Sequence, residues 1–117
     1  MAKDMAYLEK RVSSRVPVKI PVQYHLVDDP ERLKNLKGHP ALAKDLNLDG
    51  MYIKTGQSVK LGDVFSLNIS VPHKSKHLFA YAEVVWANKQ GAGLHLLLMP
   101  DEDKDALKEF LQIINAG

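Results

Sequence analysis

VFSLNISV, residues 64–71, alternates apolar and polar side chains without a break. In an extended chain successive side chains point to opposite faces, so Phe65, Leu67, Ile69 and Val71 share one face. Ser66, Asn68 and Ser70 take the other, the pattern of a strand with one side in a core and one in water. The same period runs upstream through VPVKIPVQYHL, residues 16–26, where Val18, Ile20, Val22, Tyr24 and Leu26 fall together. Pro17 and Pro21 fall opposite them and each removes a backbone donor. That predicts that this strand, or its outer half, lies at an edge.

Between these two strands, Asp28 to Pro40 reads as a polar connector with room for one helical turn at Glu31–Leu36. A second strand is expected over Ala41–Asp45, a hairpin turn at Asp49-Gly50 and a third strand over Met51–Lys54. Lys60-Leu61-Gly62-Asp63 marks the next turn. Downstream, a Pro72–His77 turn leads into a long strand over Leu78–Ala87, and Gln90–Gly93 reverses the chain into Leu94–Met99. Six short strands with closely spaced turns describe a small barrel or sandwich. The last segment changes period. Leu107, Phe110, Leu111 and Ile114 recur at helical spacing, Asp101 after Pro100 reads as an N-cap, and acidic residues in the first turn complement the helix dipole. Residues 101–117 are therefore expected to form an amphipathic helix packed on the barrel.

A chain of 117 residues is the size of one domain and buries a core without staples. With no cysteine, it has no disulfide, thiolate metal site or cysteine nucleophile. MAKDMAYLEK, residues 1–10, lacks the apolar region of a secretory signal, and no apolar run approaches a bilayer span. The expectation is a cytoplasmic protein with no membrane insertion. The net charge of +2 is too small to argue for a nucleic acid polymer. Lys3, Lys10, Arg11, Arg15 and Lys19 gather in the first twenty residues, a distribution suited to a small anion.

Nothing points to catalysis: there is no nucleophile elbow, Walker loop, zinc-protease motif or dinucleotide fingerprint. Asp28 with Asp29, and Asp101 to Asp105, sit where capping and solvation account for them. His73 and His77 are four apart, but Pro72 and the flanking strands argue against the helix that would put them on one face. No enzyme, metal or cofactor is expected.

Two short stretches belong together. Arg11-Val-Ser-Ser-Arg15 stands immediately before the first strand, and Asp45-Leu-Asn47-Leu-Asp-Gly50 ends the second and enters its turn. They resemble the paired RxxxR and [D/N]xSxxG signatures of the PilZ domain family, with Asn47 standing where the family usually has serine. AEVVW, residues 82–86, and GAGL, residues 91–94, resemble later strands of that family, so the likeness covers about residues 10–100. It implies a mainly β fold: a six-stranded antiparallel PilZ-type barrel over 11–100, joined to the C-terminal helix. Residues 1–15 carry few apolar anchors (Met5, Leu8 and Val12), so a mobile N-terminal arm is expected there. It also implies a non-catalytic receptor for cyclic di-GMP, with Arg11, Arg15, Asp45, Asn47 and Gly50 as ligand-binding residues.

The residue types suit that ligand. An arginine fork satisfies the N7 and O6 acceptors of guanine together, stacks on a purine face and pairs with phosphate. Asp45 offers an acceptor for guanine N1–H and N2–H₂, and Gly50 is expected to supply a positive φ and an approach free of Cβ. Trp86 reads as core or barrel-mouth packing, with Phe65 and Phe110 also inward. The expected mechanism has the arm closing over the ligand and altering a surface that a protein partner reads, in motility, biofilm or exopolysaccharide control. The alternative is an interaction module of the same fold that no longer binds nucleotide, motivated by Asn47. A barrel for single-stranded nucleic acid would want surface aromatics among basic residues, which are few here. Helix face and edge strands permit a monomer or a homodimer.

Overall fold

The alternating segments all become strands. The structure, a computed structural model, describes residues 16–28, 38–72 and 76–116. The strands are β1 (Val16–Leu26), β2 (His39–Leu46), β3 (Gly50–Lys54), β4 (Val64–Val71), β5 (Lys76–Ala87) and β6 (Gly91–Leu98), followed by helix α1 (Asp101–Ala116). They close into a barrel in the order β1-β2-β3-β6-β5-β4, every neighbouring pair antiparallel. The expected helical turn at Glu31–Leu36, the arm over 1–15 and His73 lie outside the described residues.

The two prolines of β1 fit this closure. β1 pairs with β2 from Val16 to Tyr24, but with β4 only from Val22 to Leu26. Pro17 and Pro21 therefore sit in the half bonded on one side, where a missing N–H leaves no gap in the ladder. The inward residues predicted from period two are the core: Ile20, Val22 and Tyr24 of β1, and Phe65, Leu67, Ile69 and Val71 of β4, are all buried. Gly62 takes φ 90° in the turn before β4, and the Asp63 carboxylate accepts from Lys60 N at 2.9 Å.

α1 packs on this barrel. Leu107 and Phe110 are buried, with Ala106, Leu111 and Ile114 packed beside them. Asp101 is the first helical residue rather than a cap outside the helix, and Lys104 N donates to Pro100 O at 2.9 Å. The acidic first turn also binds the barrel: Phe79 N of β5 donates to an Asp103 carboxylate oxygen at 3.0 Å. No described helix is long and apolar enough to cross a membrane.

Candidate functional site

Asp45, Asn47 and Gly50 come together on the β2–β3 hairpin, beside the start of β1. The turn differs from the expected Asp49-Gly50 pair. Its loop is Asn47-Leu48-Asp49, and Gly50 is already the first residue of β3. Asn47 organises it: Oδ1 accepts from Asp49 N at 2.7 Å and Gly50 N at 2.8 Å, while Asn47 N donates to Gly50 O at 3.0 Å. An asparagine side chain that mimics a backbone acceptor in this way organises the turn. The positive-φ glycines are Gly38 and Gly62, so Gly50 does not supply the positive φ predicted for it.

Asp45 is held differently. β2 carries a bulge between Ala43 and Asp45, which turns the aspartate to the outer face opposite Tyr52. There its Oδ1 accepts from Tyr52 N at 3.0 Å, so the carboxylate is fixed by the neighbouring strand. An outer-face row follows from the pairing: Pro17 opposite Asp45, Asp45 opposite Tyr52, Tyr52 opposite Gly93 and Gly93 opposite Trp86. Asp45 and Tyr52 are half-buried, and Trp86 is 41% exposed.

Trp86 is the clearest correction to the sequence reading. By strict alternation it shares a parity with the buried Val84 and should face the core. A second bulge, between Val84 and Trp86, breaks the register and turns the indole outward. It lies over Gly93, where a Cβ would collide with the indole nitrogen, and stacks on Tyr52 with ring centroids 5.4 Å apart and planes within 10°. Phe65 and Phe110 do face inward. Sequence reasoning missed Tyr52 and Trp86 as surface aromatics. The available signal was the side-chain-free Gly93 opposite a tryptophan in an adjacent strand.

The far end of the barrel is built on a buried phenol. Tyr24 Oη and Thr55 Oγ1 share a hydrogen bond of 2.9 Å, and the Tyr24 ring packs on Phe65 and His39. Burial pushes this phenol above its ordinary value of 10.0, against a smaller opposite effect of the Thr55 bond. His77 joins Asn68 at 2.9 Å and Ser70 at 3.3 Å on the outer face. Among the described residues no group of three His, Cys, Asp or Glu is placed to hold a metal. Arg11 and Arg15 lie outside the described residues.

The family model of the PilZ domain matches residues 9–112, a span that includes all five predicted site residues. This chain belongs to the PilZ domain family. PilZ domains are non-catalytic receptor and adaptor domains, and the family is known for binding cyclic di-GMP. Two solved structures share the fold. The Bacillus subtilis inhibitor of motility MotI/DgrA superposes with a TM-score of 0.67 at 16% identity, over 87% of this chain and 50% of that one. The PilZ domain of CeSA from a cellulose-synthesizing bacterium gives 0.66 at 15% identity, over 88% of this chain and 99% of that one. The chain thus spans half the length of the motility inhibitor. No curated protein matches the sequence.

Proposed function

We propose that this PilZ domain is a cyclic di-GMP receptor in which Arg11 and Arg15 clamp the ligand against the outer face of the β2–β3 hairpin. The observation that carries the reading is the register of β1. Val16 pairs with Leu46, so β1 begins beside Asp45 and Asn47, and Arg15 is the residue before it in sequence. Asp45 accepts from the Watson–Crick donors of one guanine, and the arginine forks take guanine N7 and O6 and the phosphates. The Tyr52–Trp86 stack, two strands along the same row, adds a flat aromatic edge for a base to meet.

The proposed output is a changed surface around the hairpin, read by a protein partner in the cytoplasm. The motility inhibitor among the structural neighbours supports motility control as one setting, with biofilm and exopolysaccharide control as others. Isothermal titration of cyclic di-GMP into the unmodified chain, Arg11→Ala and Arg15→Ala tests the reading. Each arginine removed should weaken binding by about 1.5–3 kcal/mol, roughly tenfold or more. No heat from the unmodified chain at high micromolar ligand would refute it.

One observation favours a second reading, a PilZ-fold interaction module without nucleotide. Asn47 Oδ1 is committed to two turn amides. A partner bound equally well by the unmodified chain and by Arg15→Ala, with or without cyclic di-GMP, would select it.

A further inference from the structure

The barrel carries an apolar band on its outer face where β6 ends. Leu96 packs against the core, and strict alternation would send Leu98 there as well. A bulge between the Ala82 and Tyr81 pairings admits one extra residue, Leu97, and sets Leu98 outward opposite Tyr81. Next to it on β5, Phe79 meets Tyr81 edge to face with ring centroids 5.1 Å apart. On the other flank of Leu98 lies a crevice of about 150 Å³, lined by Leu48, Asp49, Leu97, Leu98, Lys104 and Leu107 among others. The β2–β3 loop forms its far wall, held to β6 by Leu96 N, which donates to Asp49 O at 2.7 Å.

Phe79, Tyr81, Leu98, Leu97 and Leu48 are each between 36% and 64% exposed. With a large side chain offering on the order of 200 Å², the five leave roughly 400 Å² of apolar surface in water. A contiguous patch of that size on a soluble domain is often functional.

We propose that this band is the interface through which two copies of the chain form a two-fold dimer. The order of its parts carries the proposal. A hollow, then Leu98, then an aromatic knob follow one another from the β2–β3 loop across β6 to β5. A two-fold axis at Leu98 lays the knob of each copy over the hollow of the other, the self-complementarity that a symmetric interface requires. A space of about 150 Å³ among apolar side chains takes a benzene ring, so the hollow matches one ring of the knob.

The charges obey the same exchange. The hollow's rim carries Lys104, and the knob's flank carries Asp103, whose carboxylate already accepts from Phe79 N at 3.0 Å. The rotation that exchanges knob and hollow brings the lysine of each copy to the aspartate of the other. The area agrees as well. A standard interface covers about 800 Å² per partner, and in a homodimer about two-thirds of it is apolar, close to this band with a polar rim. A lipid surface is a poorer occupant, because the adjoining first turn of α1 is acidic at Asp101, Glu102 and Asp103. Leu98 lies five residues along β6 from Gly93 in the aromatic row, about 16 Å, so the dimer does not rest on the receptor reading.

Sedimentation equilibrium of the full chain, from low micromolar to millimolar concentration, should show a monomer passing to a dimer and no further. Leu98→Lys should weaken the dimer about tenfold or more, with the circular dichroism melt of the dilute chain unchanged. Leu61→Lys, at an exposed leucine outside the band, should leave the dimer as it is. Lys104→Glu and Asp103→Lys should each self-associate about two- to fivefold more weakly. Mixed together, these two variants should associate better than either alone, because the mixed dimer restores opposite charges at both contacts. A chain that stays monomeric throughout overturns the proposal, as does a dimer indifferent to Leu98→Lys or equally sensitive to Leu61→Lys. Growth beyond two copies overturns the two-fold arrangement. Charge variants that associate no better mixed than apart overturn the pairing of hollow with knob.

Discussion

The β2–β3 and β5–β6 hairpins are the same turn written twice. Asn47-Leu-Asp-Gly50 and Asn88-Lys-Gln-Gly91 share an Asn-x-x-Gly spacing. In each, the asparagine Oδ1 accepts from the amides two and three residues on, at 2.7 and 2.8 Å in one and 2.9 Å twice in the other. In each, the asparagine N donates to the glycine O at 3.0 Å. Only the first lies beside the start of β1. The serine-or-asparagine and glycine of the PilZ hairpin signature are thus turn chemistry that the chain also uses where no ligand is expected. What distinguishes the first hairpin is Asp45 two residues before it, the start of β1 beside it, and the Tyr52–Trp86 stack along its row. Their surroundings differ as well: Asn47 is 7% exposed, whereas Asn88 is open to solvent.

The hardest test of that equivalence is at the glycines. Gly91 faces the backbone of β3 so closely that a Cβ would run into the Ile53 carbonyl oxygen and crowd the Lys54 Cα. Backbone has little freedom to yield, so Gly91→Ala should destabilise the barrel by about 3 kcal/mol or more. Urea unfolding followed by tryptophan fluorescence measures it. A loss under 1 kcal/mol would mean that β3 and β6 separate easily there, and the scaffold hairpin would not be the rigid member of the pair.

Smaller effects are expected at the asparagines. Asn47→Ala strips one buried and one part-buried amide of their acceptor and should cost about 2 kcal/mol. Asn88→Ala frees one exposed and one part-buried amide, for which water largely replaces the lost acceptor, and should cost about 0.5–1 kcal/mol. Thermal or urea unfolding of the two variants side by side compares them. Equal losses would show that the turn geometry, rather than burial, sets its strength. A larger loss at Asn88 would reverse the comparison.

This duplication also explains what the sequence disclosed and what it withheld. The strands along the chain, the edge character of Pro17 and Pro21, and the core faces of β1 and β4 followed from period two, because each side chain there obeys the local pleat. The helix followed from the spacing of Leu107, Phe110 and Ile114. Bulges defeat the same arithmetic. One extra residue between Val84 and Trp86 moves the indole from core to surface, and no local propensity announces it. The turn boundaries slipped for a related reason. Asp49-Gly50 has the composition of a two-residue turn, but the side chain of Asn47 captures the amides first. The placement of Asp45, Asn47 and Gly50 together was legible from their order. That Asn47 and Gly50 serve the fold became legible only when the second hairpin was seen to repeat them.

The smallest expected effect concerns how the second hairpin is anchored. Thr55 N donates to Gln90 O at 3.1 Å, and Thr55 Oγ1 shares the hydrogen bond with Tyr24, so the Asn88 turn is tied to a buried phenol. The Asn47 turn is tied to Leu96 of β6. Burial raises the Tyr24 pKa in the folded chain above 10.0, the value it regains on unfolding. The folded state therefore holds the phenolic proton more tightly, and the stability so conferred is intact below about pH 10. It declines as pH rises past that value through the folded-state pKa. Tyr24→Phe removes both the bond, worth about 1 kcal/mol at neutral pH, and the titration. Against the unmodified chain, its melting temperature should start lower and fall less steeply above pH 10. Amide exchange at neutral pH should quicken at Thr55 and Gly91 in this variant while Gly50 and Leu96 keep their protection. Exchange that quickens equally at both hairpins would mean that the barrel ends open together, and the two turns, alike in bonding, would be alike in dynamics too.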